Sequence, residues 1–412
     1  MRKALPLAPI YGLEQIKRLG EDAQAVLEST RSTMLAPTSD KAPPTFTLTQ
    51  LAELCGVDKS TLTRLAKAGK IAAGTLEGNR TIFTLEEAIK AVRVVRAKDL
   101  RPENDTKTDA VVIAVAIFKG GVSKTTTTAT LAQALSLRGH RVLLIDTDPQ
   151  GSLTSLFGYK PGINVDDDMT VVPLCLGMDA CPNPGSPVDS LVYQSLAPAI
   201  RTTYWNNIDI VCASPSVFNA ELVLPTRQNR DPNFRFWDVL NGALNDESEL
   251  RKMYDVILID TPPSLSYITI NALMAADGLI MPLPPANLDF ASSSQFWGLF
   301  GEVVEGLANQ AGVDKKYSFI DVLFSKVDRS ESMQAEVRQW ILNAYRGHVL
   351  PVEIPKTATA STASASYGTV YDLEAGSNRT IQRAKEAYEQ FVDIVEEQIF
   401  GVWNHQISQH KE

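Results

Sequence analysis

Seven apolar residues, Val111–Ile117, run through Phe118 into Lys119-Gly120-Gly121-Val122-Ser123-Lys124-Thr125-Thr126. This junction constrains the fold more than any other stretch. An unbroken run rich in Val and Ile predicts a buried parallel strand. The stretch from Thr125, Thr-Thr-Thr-Thr-Ala-Thr-Leu-Ala-Gln-Ala-Leu, predicts a helix entered directly from the turn. A glycine-rich turn between strand and helix lets backbone N–H groups surround phosphate oxygens at a helix N-terminus. Lys124 would reach β- and γ-phosphates, and the Thr125 hydroxyl would ligate Mg²⁺. Residues Lys119 to Thr126 are therefore the candidate nucleotide-binding set.

Two further segments carry the same grammar. Arg141-Val-Leu-Leu-Ile-Asp146-Thr-Asp148-Pro149-Gln150-Gly151 is an apolar strand ending in two carboxylates, and Tyr254-Asp-Val-Ile-Leu-Ile-Asp260-Thr261-Pro262-Pro263 ends in another. Ligands of a parallel α/β sheet bind at the carboxyl ends of its strands, so all three segments converge on one edge. Asp260 suits a carboxylate that orients Mg²⁺ through water. Against this stands the plainer role of a strand-end Asp, capping the next helix.

The common loop spacing, Gly-x-x-x-x-Gly-Lys-Ser/Thr, would need Gly at 118 and 123, where the chain has Phe118 and Ser123. The form that fits is Lys-Gly-Gly-x-x-Lys-Thr. On Lys119, Lys124, the Asp146-Thr-Asp148-Pro149-Gln150 segment and Asp260 the chain resembles the ParA/MinD family of ATPases. The resemblance implies that Lys119 reaches across a nucleotide-sandwich homodimer to the partner's phosphates. It implies ATP and ADP with Mg²⁺, catalytic roles for Lys119, Lys124, Asp146 and Asp148, and a metal set of Thr125, Asp146 and Asp260. Asp148 would position the attacking water, with Asp146 nearer the metal. Pro355 is carried over from its place in the family pattern as an adenine-site residue. Ser123 departs from the Gly of most relatives and demands a backbone angle that a residue with a Cβ can adopt.

At 412 residues the chain has room for about two to three domains. No apolar stretch approaches the ~18 residues that span a bilayer, and the N-terminus has no signal-peptide pattern, so the expected location is the cytoplasm. Cys55, Cys175, Cys181 and Cys212 form no Cys-x-x-Cys pair, which predicts reduced thiols without zinc or an iron–sulfur cluster. The net charge of −9 argues against wholesale polyanion binding, yet residues 45–101 carry ten Lys/Arg against six Asp/Glu. A local excess of this kind suits a DNA-facing unit.

Three regions follow. Residues 1–44 hold a helix over 11–33, with Leu13, Ile16, Leu19, Ala23 and Leu27 on one stripe, and a linker from Leu35 to Pro44. The stripe would cover the chain's own domain or the same helix of a second copy, the second being favoured. Residues 45–108 hold a unit of helix–turn–helix form. Ala52 allows a close helix crossing, Gly56 makes the turn, Val57 plugs the core and Asp58 caps the second helix. That helix presents Lys59, Ser60, Thr61, Arg64 and Lys67 to DNA. A hairpin at Gly78-Asn79-Arg80 brings Arg80 to its tip as a phosphate contact, and Thr84-Leu-Glu-Glu87 predicts a capping box. The arrangement resembles a MerR-like winged helix–turn–helix. Asp99–Asp109 reads as the boundary to residues 109–412. There, strands over 111–117, 141–146, 208–213, 255–260, 278–283 and 317–325 alternate with helical stretches. The fold class is therefore α/β: a mostly parallel sheet flanked by helices, preceded by the winged unit and the N-terminal helix. Gly158–Tyr204 reads as a surface elaboration and Thr357–Ser366 as a mobile loop near the site.

With its front section the chain resembles the large plasmid-type ParA partition ATPases. The resemblance implies an ATP-closed dimer bound to non-specific chromosomal DNA on the nucleoid. A ParB-type centromere-binding protein would stimulate hydrolysis, and the helix–turn–helix would repress the chain's own operator. Lys326, Arg329, Arg338, Arg346, Lys356, Arg379 and Arg383 are candidates for the non-specific contact. A nucleotide-switched repressor with little turnover is the alternative. A membrane-cycling ATPase would want a basic amphipathic C-terminal helix, but Ala387–Gly401 carries Glu389, Asp393, Glu396 and Glu397. An iron–sulfur electron carrier would want cluster cysteines placed elsewhere.

Overall fold

Strand β4 (Val111–Val115) is buried along its whole length. Its side chains alternate between two separate cores: Val112 and Ala114 face one, and Val111, Ile113 and Val115 the other. A strand with both faces covered has no use for polar residues, which is why the run is continuously apolar. The same holds for β5 (Val142–Asp146), β8 (Val256–Asp260) and β9 (Gly278–Leu283). In the computed structural model these strands belong to an eight-stranded sheet with β6 (Arg201–Thr202), β7 (Ile208–Val211), β10 (Phe319–Val327) and β11 (Val349–Pro355). The order is β11-β10-β9-β4-β8-β5-β7-β6, parallel throughout except for the β6–β7 pair. Long helices cover both faces, among them Lys124–Leu137 and Arg379–Gln409 on one and Tyr267–Ala275 and Asn287–Ala311 on the other. The mostly parallel α/β class is as the sequence implies.

The structure describes residues 12–30, 41–102, 105, 107–246, 249–356, 368–372 and 379–409. Thr357–Ser366 therefore lies outside the described residues. The chain divides into two units, residues 1–41 and 42–412. The first contains the helix Leu13–Thr30, with Leu13, Ile16, Leu19 and Val26 between 61% and 68% exposed.

The front section of the second unit begins with β1 (Phe46–Thr47) and the helices Leu48–Cys55 and Lys59–Lys67. The hairpin of β2 (Thr75–Glu77) and β3 (Arg80–Phe83) and the helix Leu85–Val95 follow. Gly56 turns the chain at φ 64°, a left-handed angle that glycine adopts without strain. Leu51, Ala52, Cys55, Leu62, Phe83, Ala88 and Val92 make a small core, with Val57 packed against it. The Thr84–Glu87 capping box is present, and a second one joins Thr47 and Gln50. Asp58 is at the N-cap as expected, but its side chain makes no capping bond. The two helices share this core with the hairpin and the following helix.

The Asp99–Asp109 boundary is not a loose tether. Leu100, Arg101 and Thr108 are buried, and Arg101 donates to the carbonyls of Tyr254, Arg251 and Thr108. Helix Leu85–Val95 puts Leu85 and Ile89 into the core beneath the sheet. Arg93 donates to Gly139 O at 2.5 Å and Arg96 to Arg138 O at 3.1 Å. Asp255, at the start of β8, binds Arg141 at 2.6 Å and lies 3.8 Å from Arg93 and 3.9 Å from Arg101. A polar sequence thus conceals an interface because arginine supplies the binding. The Gly158–Tyr204 region differs from expectation in the same direction: Val171, Val172, Cys175 and Leu196 join a main core.

Removing Asp255 would take from the arginine cluster the buried carboxylate it shares, leaving Arg101 with Asp105 alone at 3.8 Å. Asp255→Ala should lower unfolding stability by about 3 kcal/mol, and residues 42–412 should melt in one transition. Denaturant unfolding followed by circular dichroism checks both; an unchanged midpoint would remove Asp255 as the fastening point.

Candidate functional site

The three motif strands lie side by side. Val115 of β4 is in register with Asp260 of β8, and Asp260 with Asp146 of β5. The phosphate-loop candidate follows β4 on the same edge and passes into the helix Lys124–Leu137. Gly121 has φ 74° and Ser123 φ 76°, ψ 23°. The angle at 123 is left-handed, so Ser123 holds a conformation that its Cβ disfavours. Its side chain makes no capping bond in return.

Lys124 is 7% exposed, and its Nζ donates to Lys119 O at 2.9 Å. Burial pulls its ammonium pKa down, while Asp260 and Asp148 act the other way. Thr125 Oγ1 donates to Asp260 Oδ2 at 2.7 Å and Thr128 Oγ1 to Asp260 Oδ1 at 3.3 Å. Asp260 and Asp146 are both fully buried. Burial raises both pKa values, Asp260 raises that of Asp146 further, and Asp148 adds to each. The Thr125 and Thr128 hydroxyls and Lys124 oppose the shift of Asp260. Two carboxylates that repel in this way, beside a threonine hydroxyl, form a hard-oxygen donor set that a divalent cation would relieve. Among the described residues no three His, Cys, Asp or Glu groups make a metal cage of their own.

Asp146 also performs the plainer role. Its Oδ2 accepts from Thr154 N and Thr154 Oγ1 at 2.8 Å each, and its Oδ1 accepts from Asp148 N at 3.1 Å. These bonds shape the loop that carries Asp148, whose carboxylate is half-buried and accepts from Gln150 N at 2.9 Å. Lys119 is half-buried; it and Lys326 act on the Asp289 carboxyl, whose pKa burial raises and both lysines lower.

The remaining candidates are elsewhere. Pro355 ends β11, paired with Val327, and lines a cavity of about 750 Å³ with Asp328, Arg329 and Lys356 that residues 119–126 do not line. Lys59, Ser60, Arg64, Lys67 and Arg80 are exposed and Thr61 is half-buried. Arg80 is opposite Glu77 at the base of the two-residue turn rather than at its tip. Of the basic residues in the C-terminal third, Arg338 pairs with Glu353, and Lys356 with Asp328 and Glu331. Lys326 is exposed, and its Nζ donates to Gly121 O. Ser325 Oγ donates to Val122 O at 3.0 Å. Neither residue belongs to a recognisable motif as a loop-holding group; the usable signal is a pair of polar residues at the end of a predicted parallel strand.

A family model described as "AAA domain" matches residues 110–311. The chain is 27% identical to a "Putative replication protein A" of Sinorhizobium fredii, over 94% of this chain and 92% of that protein. It is 28% identical to protein SopA of Escherichia coli K12, covering 87% and 90%. To the chromosome partitioning protein ParA of Myxococcus xanthus it is 28% identical, covering 66% and 86%. A solved structure described as "Partition Protein" superposes with a TM-score of 0.62 at 19% identity, over 93% of this chain and 98% of that one, which establishes the fold. Cobyrinic acid a,c-diamide synthase of Mycobacterium smegmatis, solved with an ATP analogue and magnesium, has a TM-score of 0.50 at 27% identity, over 69% of this chain and 94% of that one.

Ser123 loses no hydrogen bond on truncation and gains a permitted backbone angle. Ser123→Gly should raise stability by about 1 kcal/mol, read from the thermal midpoint of the ligand-free protein. A lower midpoint would mean that the serine, and not its backbone angle, matters at this position.

Proposed function

We propose that this chain, a homologue of the ParA and SopA partition ATPases, is itself a DNA-partitioning ATPase that uses MgATP. The observation that carries the reading is the convergence of Lys124, Thr125, Asp148 and Asp260 at the ends of three adjacent strands. In this reading Thr125, Asp146 and Asp260 would hold Mg²⁺, which would supply charge neutralisation for the phosphate oxygens. Residues Gly120 to Thr126 offer backbone N–H groups at the N-terminus of a fourteen-residue helix. Lys124 releases the Lys119 carbonyl and binds phosphate, and its poor hydration strengthens that contact. Asp148, held by Asp146 and Gln150, orients the attacking water. Lys119 acts on the partner's nucleotide in a sandwich homodimer.

The front helix Lys59–Lys67 would read operator DNA with Lys59, Ser60, Thr61 and Arg64, while Lys67 and Arg80 take phosphates. The closed dimer would bind chromosomal DNA without sequence preference, through groups such as the exposed Arg329, Arg379 and Arg383. A ParB-type partner would trigger hydrolysis, placing the cycle in the cytoplasm on the nucleoid. No described helix is long and apolar enough to cross a membrane. The second reading, a nucleotide-switched repressor, is favoured by the same front helix and differs in turnover.

ATP hydrolysis by the purified chain should be slow, should rise with duplex DNA and partner, and should vanish in Lys119→Ala and Lys124→Ala. No turnover under any condition, with tight ATP-dependent operator binding, would leave the repressor. Arg64→Ala should weaken operator binding by about 1–3 kcal/mol with hydrolysis unchanged. Lost hydrolysis in that variant would count against a separate reading helix.

A further inference from the structure

Two side chains from the end of β10 grip the outer side of the phosphate loop. Ser325 is buried and donates to Val122 O at 3.0 Å. Lys326 donates through Nζ to Gly121 O. The two donors are consecutive in sequence, and so are the two carbonyls. Ordinary strand geometry sends successive side chains to opposite faces and would not allow this. The chain departs from it here: Lys326 has φ 52°, and the β10–β11 register shifts between Phe324 and Val327. A lysine with a Cβ rarely holds a left-handed angle, and such outliers persist where surrounding structure over-determines them.

The consequence follows from the planarity of the peptide. In a trans peptide the C=O and the next N–H point in opposite directions. Fixing the Gly121 carbonyl toward β10 aims the Val122 N–H the other way, and fixing the Val122 carbonyl aims the Ser123 N–H likewise. Those are the groups that an anion at this helix N-terminus would meet. Gly121 and Ser123 are both left-handed, and a peptide beside glycine turns easily when nothing holds its oxygen.

We propose that Lys326, seconded by Ser325, is a positioning residue of the nucleotide site: its ammonium locks the 121–122 peptide so that the loop presents its N–H groups before nucleotide arrives. This rests on the reading of residues 119–126 as a nucleotide loop. It also takes Lys326 out of the set of DNA-contacting cations.

The test separates the backbone angle from the amine. Lys326→Gly and Lys326→Asn both tolerate φ 52° and neither reaches Gly121 O, whereas Lys326→Arg keeps a cationic donor. MgADP affinity would be titrated calorimetrically on the full chain, beside the thermal midpoint of the ligand-free protein. Gly and Asn should weaken MgADP by about tenfold, leave the ligand-free midpoint unchanged or higher, and keep the deficit at high salt, where simple attraction to phosphate is screened. Arg should restore most of the affinity. Affinities within about twofold of the parent, or a loss that merely tracks a lowered midpoint, would overturn the proposal. If the parent chain itself binds no MgADP, the nucleotide reading fails first and the positioning role with it. Binding by the parent with unchanged variants defeats the positioning role alone.

Discussion

A carboxylate with no access to water must be compensated where it stands, and Asp260 is fully buried. Thr125 and Thr128 donate to its two oxygens, and Thr147 Oγ1 binds its main-chain carbonyl at 2.7 Å. Those threonines belong to the helix after β4 and the turn after β5, so one residue of β8 fastens both neighbouring strand exits, the first by its side chain and the second by its main chain. Its register partner Asp146 is equally buried and cannot easily ionise beside it. Burial and mutual repulsion make the ionised pair a local strain on the fold. Apolar burial elsewhere in the sheet offsets that strain, since β4, β5, β8 and β9 expose nothing.

At the opposite edge two buried carboxylates are enclosed mainly by arginines. Arg93, Arg101 and Arg141 surround Asp255, while Arg96, Arg138 and His140 surround Glu396. Burial alone would push the Glu396 carboxyl up, but His140 at 2.6 Å and Arg96 hold it down to about 2. The helix Lys124–Leu137 runs between the two edges, about 21 Å at 1.5 Å per residue. Its N-terminus is the phosphate loop. Arg96 and Arg93 take the carbonyls of Arg138 and Gly139 just past its C-terminus, where cations complement the helix dipole. The front helices and the phosphate site therefore share one rigid element.

What the sequence disclosed, it disclosed through period and termination. Apolar runs gave four inner strands to within two residues, and Thr84 with Glu87 gave a cap, because both signals are local. Strand β11 escaped notice: only Leu350, Val352 and Ile354 are buried, and Pro351 and Pro355 interrupt a run that an edge position tolerates. The docking of 99–109 escaped because its contacts lie 150 residues away in Arg251 and Tyr254, and polarity alone does not distinguish a tether from a seat. That a strand-end Asp can cap the next helix was legible for Asp146, but not that both donors would come from Thr154. A strand-end carboxylate here shapes the loop that carries Asp148.

The backbone keeps its own record of where the molecule is constrained. Among the described residues five non-glycine positions have left-handed or related positive φ, and two of them, Ser123 and Lys326, meet at the phosphate loop. One is in the loop and the other in the strand end that binds Gly121 O, so each side carries its own strain. Glycine at 123 would remove half of it and leave the carbonyl grip intact. The chain instead keeps serine, whose Cβ narrows the angles open to the loop, and meets it with a lysine forced into the same region. A loop stiffened from both sides would surrender less freedom when an anion arrives.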